Sequence, residues 1–339
     1  MAKFFVTGGA GFIGSCFIRL MLKQVPDCEI TNFDALTYAG NLDNLEGISD
    51  QHRFVKGDIA NKNEVLSALD PETHAIINFA AESHVDRSIA SADEFLRTNV
   101  AGTQVLLDAA RAKGVSRFLQ VSTDEVMGTL PESDDQFFTE QSAFAPNSPY
   151  AASKAGAEHL VRAAHHTFNL HTIVTRCGNN YGPYQFPEKF IPLALANAMS
   201  DQPIPIYGDG RQVRDWIYVE DHCRGILLAL EKGPAGSVYN FGARNERRNI
   251  EVIESILAAL NKPTSLMQYV KDRPGHDRRY AIDPSFAEST LGWKPVETWQ
   301  TGLEKTMKWY QQNERWISRV RSEEYREYYA KQYGLEVTS

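Results

Sequence analysis

The stretch VTGGAGFIG, residues 6–14, ends the apolar run KFFVT and opens the run GSCFIRLMLKQV. The first run reads as a short buried strand and the second as an amphipathic helix. Gly8, Gly11 and Gly14 stand between them in G-x-x-G-x-x-G spacing. Glycine at such a turn lets backbone approach a pyrophosphate, and the N-terminus of the following helix favours the negative charge. A glycine motif alone is weak. Asp34 strengthens it, because it ends the next predicted strand, EITNFDA, 20 residues past Gly14. A carboxylate there can bind the ribose hydroxyls of NAD and repel an additional 2′-phosphate. The alternative for Asp34 is an ordinary turn aspartate.

Working outward, HRFVKGDI, AIINFAA, RFLQVST and HTIVTRC read as further strands. Helical segments lie between them, among them NKNEVLSAL, with Asn61 as its cap, and TNVAGTQVLLDAARAKG, stopped by Gly114. The alternation predicts an α/β protein, a Rossmann-type doubly wound parallel sheet covered on both faces. Past about residue 180 prolines and glycines thicken, and a smaller C-terminal substrate-binding α/β domain is expected there, with NIEVIESILAALNK as an amphipathic helix. The division is residues 1–180, a cofactor domain to which later segments return, and residues 181–339, mainly the substrate domain. The charged tail from Gly302 reads as a helix packed through Trp309, Tyr310 and Trp316.

The formal net charge of −8 over 339 residues argues against general nucleic-acid binding, while leaving room for a local anion site where arginines converge. No apolar run is long enough to span a bilayer, and the N-terminus has no signal-peptide pattern. Cys16, Cys28, Cys177 and Cys223 are widely spaced, without C-x-x-C, and read as reduced thiols in a cytoplasmic protein. No cluster has metal-ligand spacing, and no metal is expected.

SPYAASKAGAEHL predicts a helix start with Ser148 as cap and Pro149 in the first turn. Tyr150 and Lys154, four apart, share a face. An ammonium beside a phenol is expected to pull the phenol below its usual value of about 10 and make it a base for an alcohol proton. Asp124 and Glu125 follow a strand directly, behind Thr123. They are either a solvated acidic turn or a pair of proton-transfer groups.

At this point the chain resembles the extended short-chain dehydrogenase/reductase superfamily. Longer strings narrow the resemblance to the dTDP-glucose 4,6-dehydratase family: FDALTYAGNLDNL, AAESHVDRSI, VSTDEV, SPYAASKAGAEHLVRA, RCGNNYGPYQFPEKFIP, YGDGRQVRDWIYVEDHC and RPGHDRRYAID. The resemblance implies an NAD-dependent hydro-lyase acting on a nucleotide sugar, and a homodimer with the Tyr150 helix at its interface. It implies Thr123, Asp124, Glu125, Tyr150 and Lys154 as catalytic residues. Cofactor contacts would be Gly8, Gly11, Phe12, Ile13, Gly14, Asp34, Asp58, Ile59, Ala80, Ala81, Ser83, Thr98, Tyr150, Lys154 and Asn180. For Asp58 and Ile59 a strand-end turn, and for Thr98 a plain helix cap, are the competing readings. Ser83, Thr123, Asn179, Lys189, Phe190, Pro205, Tyr207, Arg214, Asn249, Arg273, His276 and Tyr280 would meet the nucleotide sugar, the arginines gripping its diphosphate. His84 could lie near the sugar or be structural; His165 and His166 read as surface. A 4-epimerase or another dehydratase of the superfamily, and a non-catalytic NAD sensor, are the alternatives. Met127 stands where the family usually has tyrosine, an exchange expected to loosen or reshape the site.

Overall fold

The computed structural model describes residues 1–132 and 135–321, so the end of the predicted tail helix lies outside the described residues. Twelve strands are named in chain order: β1 Ala2–Thr7, β2 Cys28–Asp34, β3 His52–Lys56, β4 Thr73–Asn78, β5 Arg117–Val121, β6 Thr172–Cys177, β7 Asn179–Tyr181, β8 Ile204–Tyr207, β9 Val213–Tyr218, β10 Ser237–Phe241, β11 Glu246–Arg248 and β12 Met267–Val270.

Seven of them form one sheet in the order β10-β6-β5-β4-β1-β2-β3, every pair parallel. Period-two geometry sends Phe4 and Val6 to one face and Phe5 to the other, and each joins a separate apolar core. Both faces are covered, so β1 is apolar at consecutive positions. The strand order reverses between β1 and β4. The carboxyl ends of these two strands therefore open a crevice, where a doubly wound sheet binds its ligand. A buried polar rung crosses that end: Thr7 Oγ1 donates to Asn78 Oδ1 at 2.5 Å, and Asn78 Nδ2 to Gln120 Oε1 at 2.9 Å.

Local sequence sets the flanking helices. The Asn61 side chain accepts from Asn63 and Glu64 amides, and Ser148 Oγ from Ala151 N at 3.1 Å. Gly114 closes the Thr103–Lys113 helix in the left-handed region at φ 70°. The stretch before that helix departs from the expected regular helix. Leu96–Gly102 is a π-helix, so Thr98 sits inside a wide turn and caps nothing.

A smaller region carries two sheets, β11-β9-β7 and β12-β8, around its own core, to which the Asn249–Ala259 helix and the buried Tyr310 and Trp316 belong. Strand β10, from beyond residue 180, forms the edge of the seven-stranded sheet beside β6.

Candidate active site

The crevice holds a cavity of about 330 Å³ that runs from the glycine turn to the end of β5. At its floor the Gly8 backbone has φ +69°, and a Cβ there would lie 2.5 Å from the Ala80 amide nitrogen. A Cβ on Gly14 would lie 2.3 Å from the Gly8 carbonyl oxygen. Side chains are excluded on steric grounds, and the Phe12–Gln24 helix begins directly behind. Asp34 is buried at the end of β2; its carboxylate accepts from Ala10 N at 2.9 Å and Leu36 N at 2.8 Å. Burial raises its pKa, and the two amides pull it back. This cradle fits a dinucleotide pyrophosphate and an adjacent ribose.

The residues expected from sequence to hold the cofactor converge here. Gly8, Gly11, Phe12, Ile13, Gly14, Asp34, Asp58, Ile59, Ala80, Ala81, Ser83, Thr98, Tyr150, Lys154 and Asn180 all line the cavity, as do Thr123, Asp124, Glu125, Asn179 and Lys189. Arg97, Glu82 and Gln185 line it too; Glu82 and Gln185 lie in the quoted strings AAESHVDRSI and RCGNNYGPYQFPEKFIP without having been singled out, and Arg97 lies in none. Arg97 pairs with Asp58, so Asp58 is neither a bare turn residue nor an open acceptor.

At the other end, Thr123 caps a short 3-10 turn, Asp124–Met127, and its hydroxyl accepts from Glu125 N at 3.3 Å. The turn points consecutive acids inward. Asp124 is 2% exposed, and its Oδ2 has no hydrogen-bond partner among the described residues. Burial, then Glu125, push its carboxyl well above the usual range. Glu125 is only partly buried. Burial raises it as well, but Arg273, Arg214 and Lys189 pull it back. Burial raises both acids, but it raises Asp124 further, while cations oppose the rise at Glu125. That division suits an acid and a base acting together. A solvated acidic turn is inconsistent with this burial.

Tyr150 stands across from them, 9% exposed. The expected depression of its phenol by Lys154 is not what the folded chain produces. Burial, then Glu125 and Cys177, drive the phenol well above its ordinary value, with the Thr123 hydroxyl opposing them. Lys154 Nζ donates to the Val121 carbonyl at 2.7 Å, and burial pushes its own pKa down to about 8. The pair is thus a desolvated relay waiting for positive charge. We expect kcat/KM to fall as pH rises through about 8, where the ammonium is lost. A pH–rate profile reads this directly, and the residual activity of Lys154→Arg, which stays charged, should lack that limb.

The remaining expected residues lie beyond the cavity wall in a second, connected group. Arg214 Nη2 donates to Asp277 O at 2.9 Å, and its guanidinium lies 4.2 Å from the Tyr280 ring centroid. Tyr280 donates to Asp277 Oδ2 at 2.5 Å, while Asn147 Nδ2 holds the other oxygen at 2.6 Å. Arg273 approaches Asp86 at 3.6 Å, and Tyr207 donates to the same carboxylate at 3.0 Å. The His276 ring lies edge-on to Tyr207 and hydrogen-bonds Asp272 at 2.6 Å. Burial, with Arg273 and Arg214, lowers His276 from its ordinary value, while Asp272 opposes the shift. Asn249 N donates to the Gln212 carbonyl at 3.0 Å, and the Gln212 side chain reaches His276. Pro205 is buried in β8, and Phe190 stacks on Trp216. Buried polar atoms left without partners among the described residues include Asn179 Oδ1 and Arg273 Nε. An anionic, hydroxyl-rich ligand spanning both groups would satisfy them.

His84 is buried with Nε2 4.0 Å from Glu188, inside the Arg87–Glu188 pair, a structural position. Met127 is 3% exposed and packs with Leu130, Phe138, Ala155 and Tyr280; it does not line the cavity. Its Sδ accepts from Arg176 at 3.7 Å, and Arg176 makes a buried fork with Glu158.

With this geometry in hand, comparisons place the chain among known proteins. The profile of the GDP-mannose 4,6 dehydratase family matches residues 5–306. A dTDP-glucose 4,6-dehydratase of Xanthomonas campestris is 50% identical over 96% of this chain and 98% of its own. The chain belongs to the dTDP-glucose 4,6-dehydratase family. The Streptomyces venezuelae member of that family, crystallised with NAD and a TDP ligand, superposes with a TM-score of 0.91 at 47% identity, over 94% of this chain and 99% of that one. A Thermus thermophilus UDP-glucose 4-epimerase with NAD gives 0.85 at 28% identity over 92% and 99% of the two chains. The fold is therefore shared with a protein named for different chemistry.

Proposed function

We propose that this protein dehydrates dTDP-glucose to dTDP-4-keto-6-deoxyglucose with NAD as a resident cofactor. The observation that carries this reading is the acid pair: Asp124 deeply buried, with its carboxyl pushed well above the usual range, and Glu125 beside it with cations opposing the rise, both on the cavity that Tyr150 enters. NAD, held by the Gly8–Gly14 turn and Asp34, would supply a reversible hydride store for oxidation at C4 and reduction at C6. Tyr150 takes the proton of the 4-hydroxyl, aided by Thr123 at that oxygen and by the Lys154 charge. The 4-ketone acidifies C5, and Glu125 removes the C5 proton. Asp124 gives its proton to the departing 6-hydroxyl, which leaves as water. Glu125 then returns a proton to C5. An acid and a base serve one elimination, and the redox account closes.

In this reading residues 1–180, joined by β10, hold NAD, and residues 181–339 mainly hold the nucleotide sugar. Arg214 and Arg273 grip the diphosphate, with Asn179, Lys189, Phe190, Pro205, Tyr207, Asn249, His276 and Tyr280 around the nucleotide and Ser83 near the sugar. The protein works as a cytoplasmic homodimer, a reading supported by its four free cysteines and by family membership. No helix of the described residues is long and apolar enough to cross a membrane.

Incubation with dTDP-glucose and NAD tests the activity. A 4-keto-6-deoxy sugar nucleotide should form with no net reduced nicotinamide. Formation of dTDP-galactose instead would make the chain a 4-epimerase, and no turnover would leave a sensor.

A further inference from the structure

Three consecutive residues of the π-helix, Arg97, Thr98 and Asn99, all serve the cofactor side of the cavity. In an α-helix such neighbours are spread roughly 100° apart around the axis. A π turn is wider and brings them toward one side; turns of this kind concentrate at functional sites. Arg97 and Thr98 line the cavity itself, while Asn99 is 2% exposed behind it.

The Asn99 carboxamide is fully engaged. Its Oδ1 accepts from Glu82 N at 2.9 Å. Its Nδ2 donates to Glu82 O at 3.0 Å and to Ser153 Oγ at 2.8 Å. Ser153 Oγ in turn donates to the Tyr150 carbonyl at 2.7 Å. Both backbone groups of Glu82 thus end on one side chain, as they would in a strand pair. The amide orientation is fixed, since turning it over would set its NH₂ against the Glu82 N–H. The loop held this way carries Ala80, Ala81, Glu82 and Ser83 along the cavity wall. The helix at the other end carries Tyr150 and Lys154.

We propose that Asn99 is a positioning residue that locks the 80–83 loop to the Tyr150 helix and so slows escape of NAD from the site. The inference rests on the dehydratase reading, in which a borrowed hydride must be returned before the cofactor can leave. A loop free to shift would let the nicotinamide end loosen midway.

The test measures NAD release from the holoenzyme by stopped-flow chase with no sugar present. Asn99→Ala removes the partner of the part-buried Glu82 amide and carbonyl, and release should quicken about tenfold. In turnover, kcat should fall while KM for the sugar stays within about twofold, and reduced nicotinamide should leak into solution. Ser153→Ala cuts only the link to the helix and should fall between that variant and the wild type. Should Asn99→Ala not fold, Asn99→Asp keeps the acceptor and loses both donated bonds; its release should also quicken. Release at the wild-type rate in whichever Asn99 variant folds overturns the proposal. Because the readout needs no sugar, a protein that binds NAD yet makes no 4-keto sugar would refute the dehydratase reading alone.

Discussion

Glu125→Gln is expected to stop the reaction after oxidation, with overall turnover down about 10²–10⁴-fold, the range for a positioned proton-transfer group. The substitution keeps the shape and removes only the base. Tyr150, Thr123 and Lys154 are untouched, so the 4-hydroxyl can still be oxidised. The C5 proton then has no acceptor. Reduced nicotinamide should accumulate on the enzyme in a single turnover, which absorbance on mixing with dTDP-glucose detects. Asp124 is expected to be a poor substitute, because burial and its neighbour push its carboxyl well above the usual range. The cations that pull Glu125 back, Arg273, Arg214 and Lys189, also explain why the nucleotide end matters to the chemistry. Rapid elimination in Glu125→Gln would remove Glu125 from its role.

Much of this arrangement was legible in residue order. The glycine spacing and Asp34 are local signals, tied to one strand-turn-helix unit, and the β1–β4 crevice follows once strands and helices alternate. Ser148, Asn61 and Gly114 announced their caps because capping depends on a few neighbouring residues. Other parts depend on contacts distant in sequence. Asp277 joins Arg214 and Asn147 across 63 and 130 positions, contacts that no local spacing reveals. Strand β10 pairs with β6 only through the intervening region. The π-helix was hidden for a different reason: its residues read as ordinary helix. The phenol's pKa was misjudged because i,i+4 spacing gives proximity along a helix and says nothing of burial.

That misjudged pKa makes Tyr150→Phe the sharper probe of the first step. The phenylalanine ring fills the same space against Phe95, so nucleotide-sugar binding should hold within a few-fold. What is lost is the group proposed to take the 4-hydroxyl proton. Thr123 is a neutral hydroxyl, and Lys154 Nζ is committed to the Val121 carbonyl as a donor. Turnover should fall about 10²–10⁴-fold. Unlike the Glu125 variant, no reduced nicotinamide should build up, because the block precedes hydride transfer. Burial drives the phenol of the intact enzyme well above its ordinary value, whereas phenylalanine has no proton to lose at any pH. Hence raising pH should not rescue Tyr150→Phe, whereas a variant that merely loosened the pocket would recover part of its rate at saturating substrate. If Tyr150→Phe gave the same burst of reduced nicotinamide as Glu125→Gln, the phenol would be a spectator and the base for the 4-hydroxyl would have to be sought in Glu125 itself.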